Sequence, residues 1–194
     1  MATTKKSFNK KYYFGGVYED YDKFMNYKKI AHGLLRQYKF QSFLDIGCGC
    51  GNLAKEMKKI LEQKYKKKCD VYGIDFSAFA VKNAQSPFIK CVDCTKKLPF
   101  KNKQFDLVYI YTTYAYLKTI EDIKKAMKEA YRVAKNTIVF DDVFSHKMAM
   151  DKDNYDPFRL RFLNKGQWLK LWQTVMKKSD KYRFTKHKII INKG

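Results

Sequence analysis

The sequence predicts an α/β domain built on a mostly parallel sheet of about seven strands, flanked by helices. Three observations lead there. Short apolar runs alternate with helix-patterned segments from residue 42 to residue 140, which is the pattern of successive strand–helix–strand units. The runs are continuously apolar, as in strands covered on both faces. The first run, Phe43-Leu44-Asp45-Ile46, ends in Gly47-Cys48-Gly49-Cys50-Gly51 directly before a helical pattern. Glycine lacks a Cβ, so such a turn lets a ligand touch the main chain. At 194 residues the chain suits one domain with a respectable core.

The elements follow in order. Residues 1–17 are polar and aromatic, with a turn at Gly15-Gly16. Between Tyr18 and Tyr38 the apolar residues Tyr21, Phe24, Met25, Ile30, Leu34 and Leu35 fall at roughly helical spacing, predicting a helix. Residues 1–40 are therefore expected to form a helical lid on the same domain, and 41–194 the domain proper. Asn52–Lys67 reads as an amphipathic helix with Leu53, Met57, Ile60 and Leu61 on one stripe. Val71–Asp75 is the second strand, and Ser77 is placed to cap a helix from Ala78 to about Ala84. Ile89–Val92 is the third strand and Phe105–Tyr111 the fourth. A helix opens at Thr119 or Glu121 and reaches Lys135, and Thr137–Phe140 is the fifth strand. Beyond 142 the pattern loosens. An irregular excursion at 143–163 precedes a helix at 165–177 and one or two closing strands at 182–192. With one closing strand the sheet would be truncated at its C-terminal edge.

Charge and cysteine content narrow the function classes. Lysine and arginine total 41 against 19 acidic residues, a net charge of +22. Such a surface favours anionic partners, RNA among them. A solvated basic surface without a dedicated partner is the plain alternative. The five cysteines are odd in number and lack a disulfide framework, which implies reduced thiols. No uninterrupted apolar run reaches ~18 residues, so no membrane span is expected, and no apolar leader segment opens the chain. A cytoplasmic location is the expectation. Cys91-x-x-Cys94 lacks the second pair that a zinc site needs, so no metal is expected.

The glycine turn departs from two familiar nucleotide patterns. A dinucleotide site reads G-x-G-x-x-G; here the third glycine, Gly51, falls one residue early. A phosphate loop needs a Gly-Lys-Ser/Thr ending, which is absent. What stands instead is Asp45-x-Gly47-x-Gly49-x-Gly51. With Asp75 closing the second strand, Asp93 following the third and Phe105-Asp106-Leu107-Val108 opening the fourth, this series resembles the motifs of class I S-adenosylmethionine (SAM) dependent methyltransferases. The Phe43–Leu53 stretch is most similar to the type 11, small-molecule branch. The resemblance covers roughly residues 18–142.

That resemblance implies a Rossmann-like methyltransferase fold, SAM as cofactor and S-adenosylhomocysteine (SAH) as product. It implies a cofactor site made of Asp45, Gly47, Cys48, Gly49, Gly51, Asp75, Phe76, Asp93, Cys94, Tyr111 and Tyr21. In it Asp75 accepts the ribose hydroxyls, a charge-assisted pair; Phe76 lies against adenine; Asp93 takes the adenine amino group; Tyr111 faces the methionine part; and Tyr21 or Tyr18 reaches in from the lid. Two departures stand out. The usual Pro-Gly-Gly before strand five is replaced by Val133-Ala134-Lys135-Asn136. No Asn/Asp-Pro-Pro-Tyr follows strand four, which argues against the amino-methylating DNA enzymes.

Methyl transfer from a sulfonium needs alignment and exclusion of water more than it needs a base. Where a base is required, the candidates are Asp141, Asp142 and His146, which follow strand five at the sheet's carboxyl edge, where ligands bind in open α/β sheets. Tyr111, Tyr114 and Tyr116 are candidates for the acceptor pocket. The expected reaction is methyl transfer to O or N of a small-molecule acceptor. An RNA or protein acceptor, and a non-catalytic accessory subunit with a SAM fold, are the alternatives.

Overall fold

A computed structural model of the chain describes residues 7–142, 156–185 and 187–194. Seven strands form one sheet in the order β3-β2-β1-β4-β5-β7-β6. They are β1 (Phe43–Ile46), β2 (Val71–Asp75), β3 (Ile89–Cys91), β4 (Phe105–Tyr111), β5 (Ala134–Asp141), β6 (Lys181–Phe184) and β7 (Ile189–Asn192). The first five pair in parallel, and the β6–β7 hairpin is antiparallel, with β7 inserted against β5. The sheet is thus completed at its C-terminal edge. The strand order reverses between β1 and β4, so the carboxyl ends of β1, β2 and β4 open a crevice at the switch point.

Helices α2 (Tyr27–Gln37) and α3 (Asn52–Tyr65) cover one face, where Leu34, Leu53, Met57 and Leu61 meet Phe43, Val71, Leu107, Tyr109 and Val139. Helices α5 (Ile120–Val133) and α6 (Lys165–Gln173) cover the other. There Ile123, Met127, Trp168 and Trp172 pack on Leu44, Ile46, Val108, Ile110, Phe140 and Ile191. Side chains alternate faces along each strand, so a run that is apolar throughout feeds both layers. The short α4 (Ala78–Ala84) joins β2 to β3, its start capped by Ser77 Oγ accepting from the Ala80 amide.

The expected 18–38 helix is shorter. Only Tyr27–Gln37 is helical, capped by Asn26, whose side chain accepts from the Lys29 amide. Tyr18 and Tyr21 pack edge to face with Tyr12, Tyr13 and each other, and Phe24 packs on Tyr18, so their spacing serves an aromatic cluster and not a helix face. A one-turn helix α1 (Lys10–Tyr13), capped by Asn9, stands where only a polar, aromatic stretch was expected. Strand β5 starts at Ala134, earlier than its apolar run, because Ala134 pairs with Phe105 across an irregularity in the β4 register. Part of the 143–163 excursion lies outside the described residues.

Candidate active site

The glycine turn is shaped by backbone before any ligand is considered. The amides of Gly47 and Cys48 donate to the Ile74 carbonyl at 2.8 and 3.0 Å, pinning the end of β1 to β2. Gly47 and Gly49 have φ of +77° and +53°, the left-handed region. Space also excludes a side chain there. A methyl group on Gly47 would lie 2.0 Å from Thr113 Oγ1, and one on Gly49 would lie 2.6 Å from the Tyr21 hydroxyl oxygen. Gly51 serves packing, since its missing Cβ leaves room for Ile89 of β3.

Asp75 closes β2 under this turn. Its Oδ2 accepts from the Gly49 amide at 2.9 Å and its Oδ1 from the Ser77 amide at 2.8 Å. The two amides fix the carboxylate's orientation and leave each oxygen a further lone pair. Burial holds its acidity below that of an ordinary aspartate, and the backbone amides only partly oppose this. Asp45, one strand over, is 4% exposed, and burial first, then the Asp75 charge, pushes its pKa up to about 8. Asp93, just past β3, accepts from the Thr95 amide and hydroxyl at 3.0 and 2.7 Å. Beside it, burial and then Asp93 push the Cys94 thiol up to about 12. At neutral pH Cys94 is an uncharged wall residue.

A cavity of about 430 Å³ opens over these strand ends, within the range of small-molecule sites, roughly 300–1,000 Å³. Of the residues that the family resemblance assigns to a cofactor, Gly47, Gly49, Asp75, Phe76, Asp93, Cys94, Tyr111 and Tyr21 line it. Asp45, Cys48 and Gly51 do not; they lie behind the wall, where Cys48 packs close to Gly73 and Gly51 seats Ile89. The N-terminal segment roofs the cavity with Phe8, Tyr12, Tyr13, Tyr18 and Tyr21. It is anchored by Ser77 Oγ donating to the Phe8 carbonyl at 2.7 Å and by Asn52 Nδ2 donating to Asp22 at 2.8 Å, and it is folded on itself by the Tyr21 amide donating to the Tyr13 carbonyl at 3.1 Å.

The carboxylates at the end of β5 are engaged elsewhere. Asp141 accepts from the Tyr109 hydroxyl at 2.8 Å and pairs with Lys188 at 2.7 Å. Asp142, fully buried, pairs with Arg159 at 2.9 Å and accepts from the Ala115 amide at 3.1 Å. Burial, opposed by Arg159, leaves its pKa at about 6. Neither lines the cavity, because each is drawn into a bond between elements. His146 lies outside the described residues. Tyr111 and Tyr116 line the cavity, whereas Tyr114 is buried in the core with its hydroxyl donating to the Ala126 carbonyl. Among the described residues no cluster of histidine, cysteine and carboxylate is arranged to hold a metal, and no helix is long and apolar enough to cross a membrane.

Sequence reasoning missed Asp156 altogether. Its Oδ2 accepts from the hydroxyls of Tyr12 and Tyr116 at 2.7 and 2.9 Å, and its Oδ1 from the Phe158 amide at 2.8 Å. It ties the roof to the segment after β4, and Tyr12 stands 144 positions away in sequence. No local pattern marks such a residue.

Fold, glycine turn and acidic strand ends define a nucleoside-binding α/β enzyme. Comparison with known proteins makes the class specific: residues 44–140, half of the chain, match the family model of the methyltransferase domain. The chain belongs to this methyltransferase family; it is a SAM-dependent methyltransferase, and SAM is its cofactor. No curated protein sequence matches it. Among solved structures it is similar to DesVI of Streptomyces venezuelae, with TM-score 0.68, 13% identity and coverage of 87% of this chain and 92% of that one. A SAM-dependent methyltransferase of Clostridium acetobutylicum gives 0.65, 16%, 88% and 93%. The magnesium protoporphyrin IX methyltransferase of Synechocystis PCC 6803, solved with bound SAM, gives 0.60, 14%, 90% and 81%. At these identities the likeness is one of fold.

Proposed function

We propose that the enzyme transfers the methyl group of SAM to an O or N atom of a small-molecule acceptor held under the N-terminal roof. The observation that carries this is the cavity itself. Eight of the assigned cofactor residues line it, and aromatic rings of the N-terminal segment close it. The residues fit the donor. Asp75 is a buried carboxylate aimed by two amides, and it suits a pair of ribose hydroxyls. Phe76, Asp93 and Cys94 in the lining offer a ring and polar atoms suited to adenine. Gly47 and Gly49 allow the methionine part to approach the main chain, and Tyr21 and Tyr111 flank it.

The cofactor supplies an already activated methyl group. The protein's own contribution is to align the acceptor and keep water out, which the roof of Phe8, Tyr12, Tyr13, Tyr18 and Tyr21 supports. Asp141 and Asp142 are engaged by Lys188 and Arg159, so neither is assigned as a general base. The net charge of +22 favours a second reading, an RNA acceptor.

Transfer of tritiated methyl groups into a size-fractionated extract separates the two. A small acceptor predicts label in the low-molecular-weight fraction, unaffected by salt. Label in nuclease-sensitive polymer, lost steeply as salt rises, would replace this reading with the RNA one.

A further inference from the structure

The aromatic part of the cavity lining carries information about the acceptor. Tyr12, Tyr18, Tyr111 and Tyr116 present rings there. Tyr12 and Tyr18 stand edge to face at 5.3 Å between centroids. Two of these phenols donate to one oxygen of Asp156, which is only 7% exposed and is held by three neutral donors. Phenols that donate a hydrogen bond to a carboxylate gain electron density on the ring, and ring faces already attract cations. Asp75, Asp93 and Asp122 add carboxylates to the lining, against two exposed lysines, Lys96 and Lys118. A protein of net charge +22 thus keeps an acidic, ring-walled hole over its reaction site.

Such a wall discriminates between acceptors. An oxyanion nucleophile would face aromatic quadrupoles and carboxylates. Three of the hydroxyls in the lining are committed elsewhere: Tyr12 and Tyr116 to Asp156, and Thr113 to the Ile46 and Tyr111 carbonyls. A neutral amine becomes positive as it is methylated, so the cation is conserved and only changes place. Burial also keeps the Tyr12 and Tyr116 phenols protonated, as donors to Asp156.

Resting on the assignment of this cavity to SAM, we propose that the acceptor is an amine, whose nitrogen is held by the rings of Tyr12, Tyr18, Tyr111 and Tyr116 backed by Asp156. The amine loses its proton to water on entering. Its lone pair forms the new N–C bond, the S–C bond breaks with its electron pair remaining on sulfur, and the product nitrogen carries the positive charge into the ring cage. Primary and secondary amines return to their ordinary protonation equilibrium after release.

The test uses the full chain saturated with SAH, which removes the sulfonium's own charge from the site. Choline and its uncharged isostere 3,3-dimethylbutan-1-ol are titrated by calorimetry. A cation site predicts that choline binds roughly tenfold tighter or better. Tyr116→Leu and the isosteric Asp156→Asn should each erode that preference while SAH affinity stays within about twofold; Asp156→Asn covers the case in which the larger change fails to fold. Equal binding of the two probes, or no choline binding by an SAH-loaded protein, overturns the amine proposal and leaves the donor site standing. Absence of SAH binding overturns both.

Discussion

Asp45 is where burial and charge conflict most sharply at the residue scale. In the folded protein its carboxyl titrates near 8, against about 3.9 in an unfolded chain. Between those values the folded state holds a proton that the unfolded chain has released. The stability linked to this group is therefore fully present below about pH 4 and is lost as pH rises through 8. Asp45→Asn removes the titration. Unliganded, the variant should show a flatter stability profile between pH 5 and 8. At pH 8 it should exceed the parent by at least ~1 kcal/mol, or roughly 2–4 °C in thermal midpoint. Thermal melts across that range check it, and a variant that follows the parent's profile contradicts it.

The same residue shows how far sequence reaches into the site. Asp45, Gly47, Gly49 and Asp75 are legible because their spacing along adjoining elements is fixed by the turn. Whether each faces a ligand or the interior is not. Asp45, Cys48 and Gly51 sit in the same motif as Gly49 yet lie behind the wall. Asp156 is illegible because its partners, Tyr12 and Tyr116, are brought to it only by the closed tertiary fold.

At the scale of elements, the first five strands were legible nearly in bounds, because short continuous apolar runs between helices must be buried on both faces, whereas the closing strands were left as one or two because β6 is exposed throughout. Local pattern failed where aromatic packing imitated helical spacing, at Tyr18–Met25. It also failed at β5, where pairing with Phe105 extends the strand back to Ala134. The segment 156–163 is held by a buried ion pair, Arg159 with Asp142, both side chains almost fully enclosed. The Leu160 and Arg161 amides also donate to the Ala115 carbonyl. Arg159→Met leaves Asp142 buried without its cation and should cost ~3–5 kcal/mol in urea unfolding at pH 7. Losing Arg159 raises the Asp142 pKa further above its unfolded value. The variant should therefore regain stability as pH falls from 8 toward 5, when the carboxyl takes up its proton. A loss below ~1 kcal/mol would show that the pair does not hold the segment.

For the whole molecule, charge and cavity carry opposite signs. The net charge of +22 belongs to the surface, while the lining of the reaction site is acidic and aromatic. Composition alone therefore points toward anionic partners, whereas the cavity lining supports the proposed amine acceptor. The roof unites the molecule, since residues near the start of the chain and from 156–158 meet over strand ends from its middle. At the centre of the molecule, the buried, amide-aimed carboxylate of Asp75 is assigned to hold the methyl donor in this cavity. Calorimetric titration of SAM into the wild-type protein and into Asp75→Ala tests that assignment most directly. One site per chain is expected, weakened roughly tenfold or more by the substitution, as for loss of hydrogen bonds to a charged group. Equal affinity in the two proteins, with the variant folded, would contradict it.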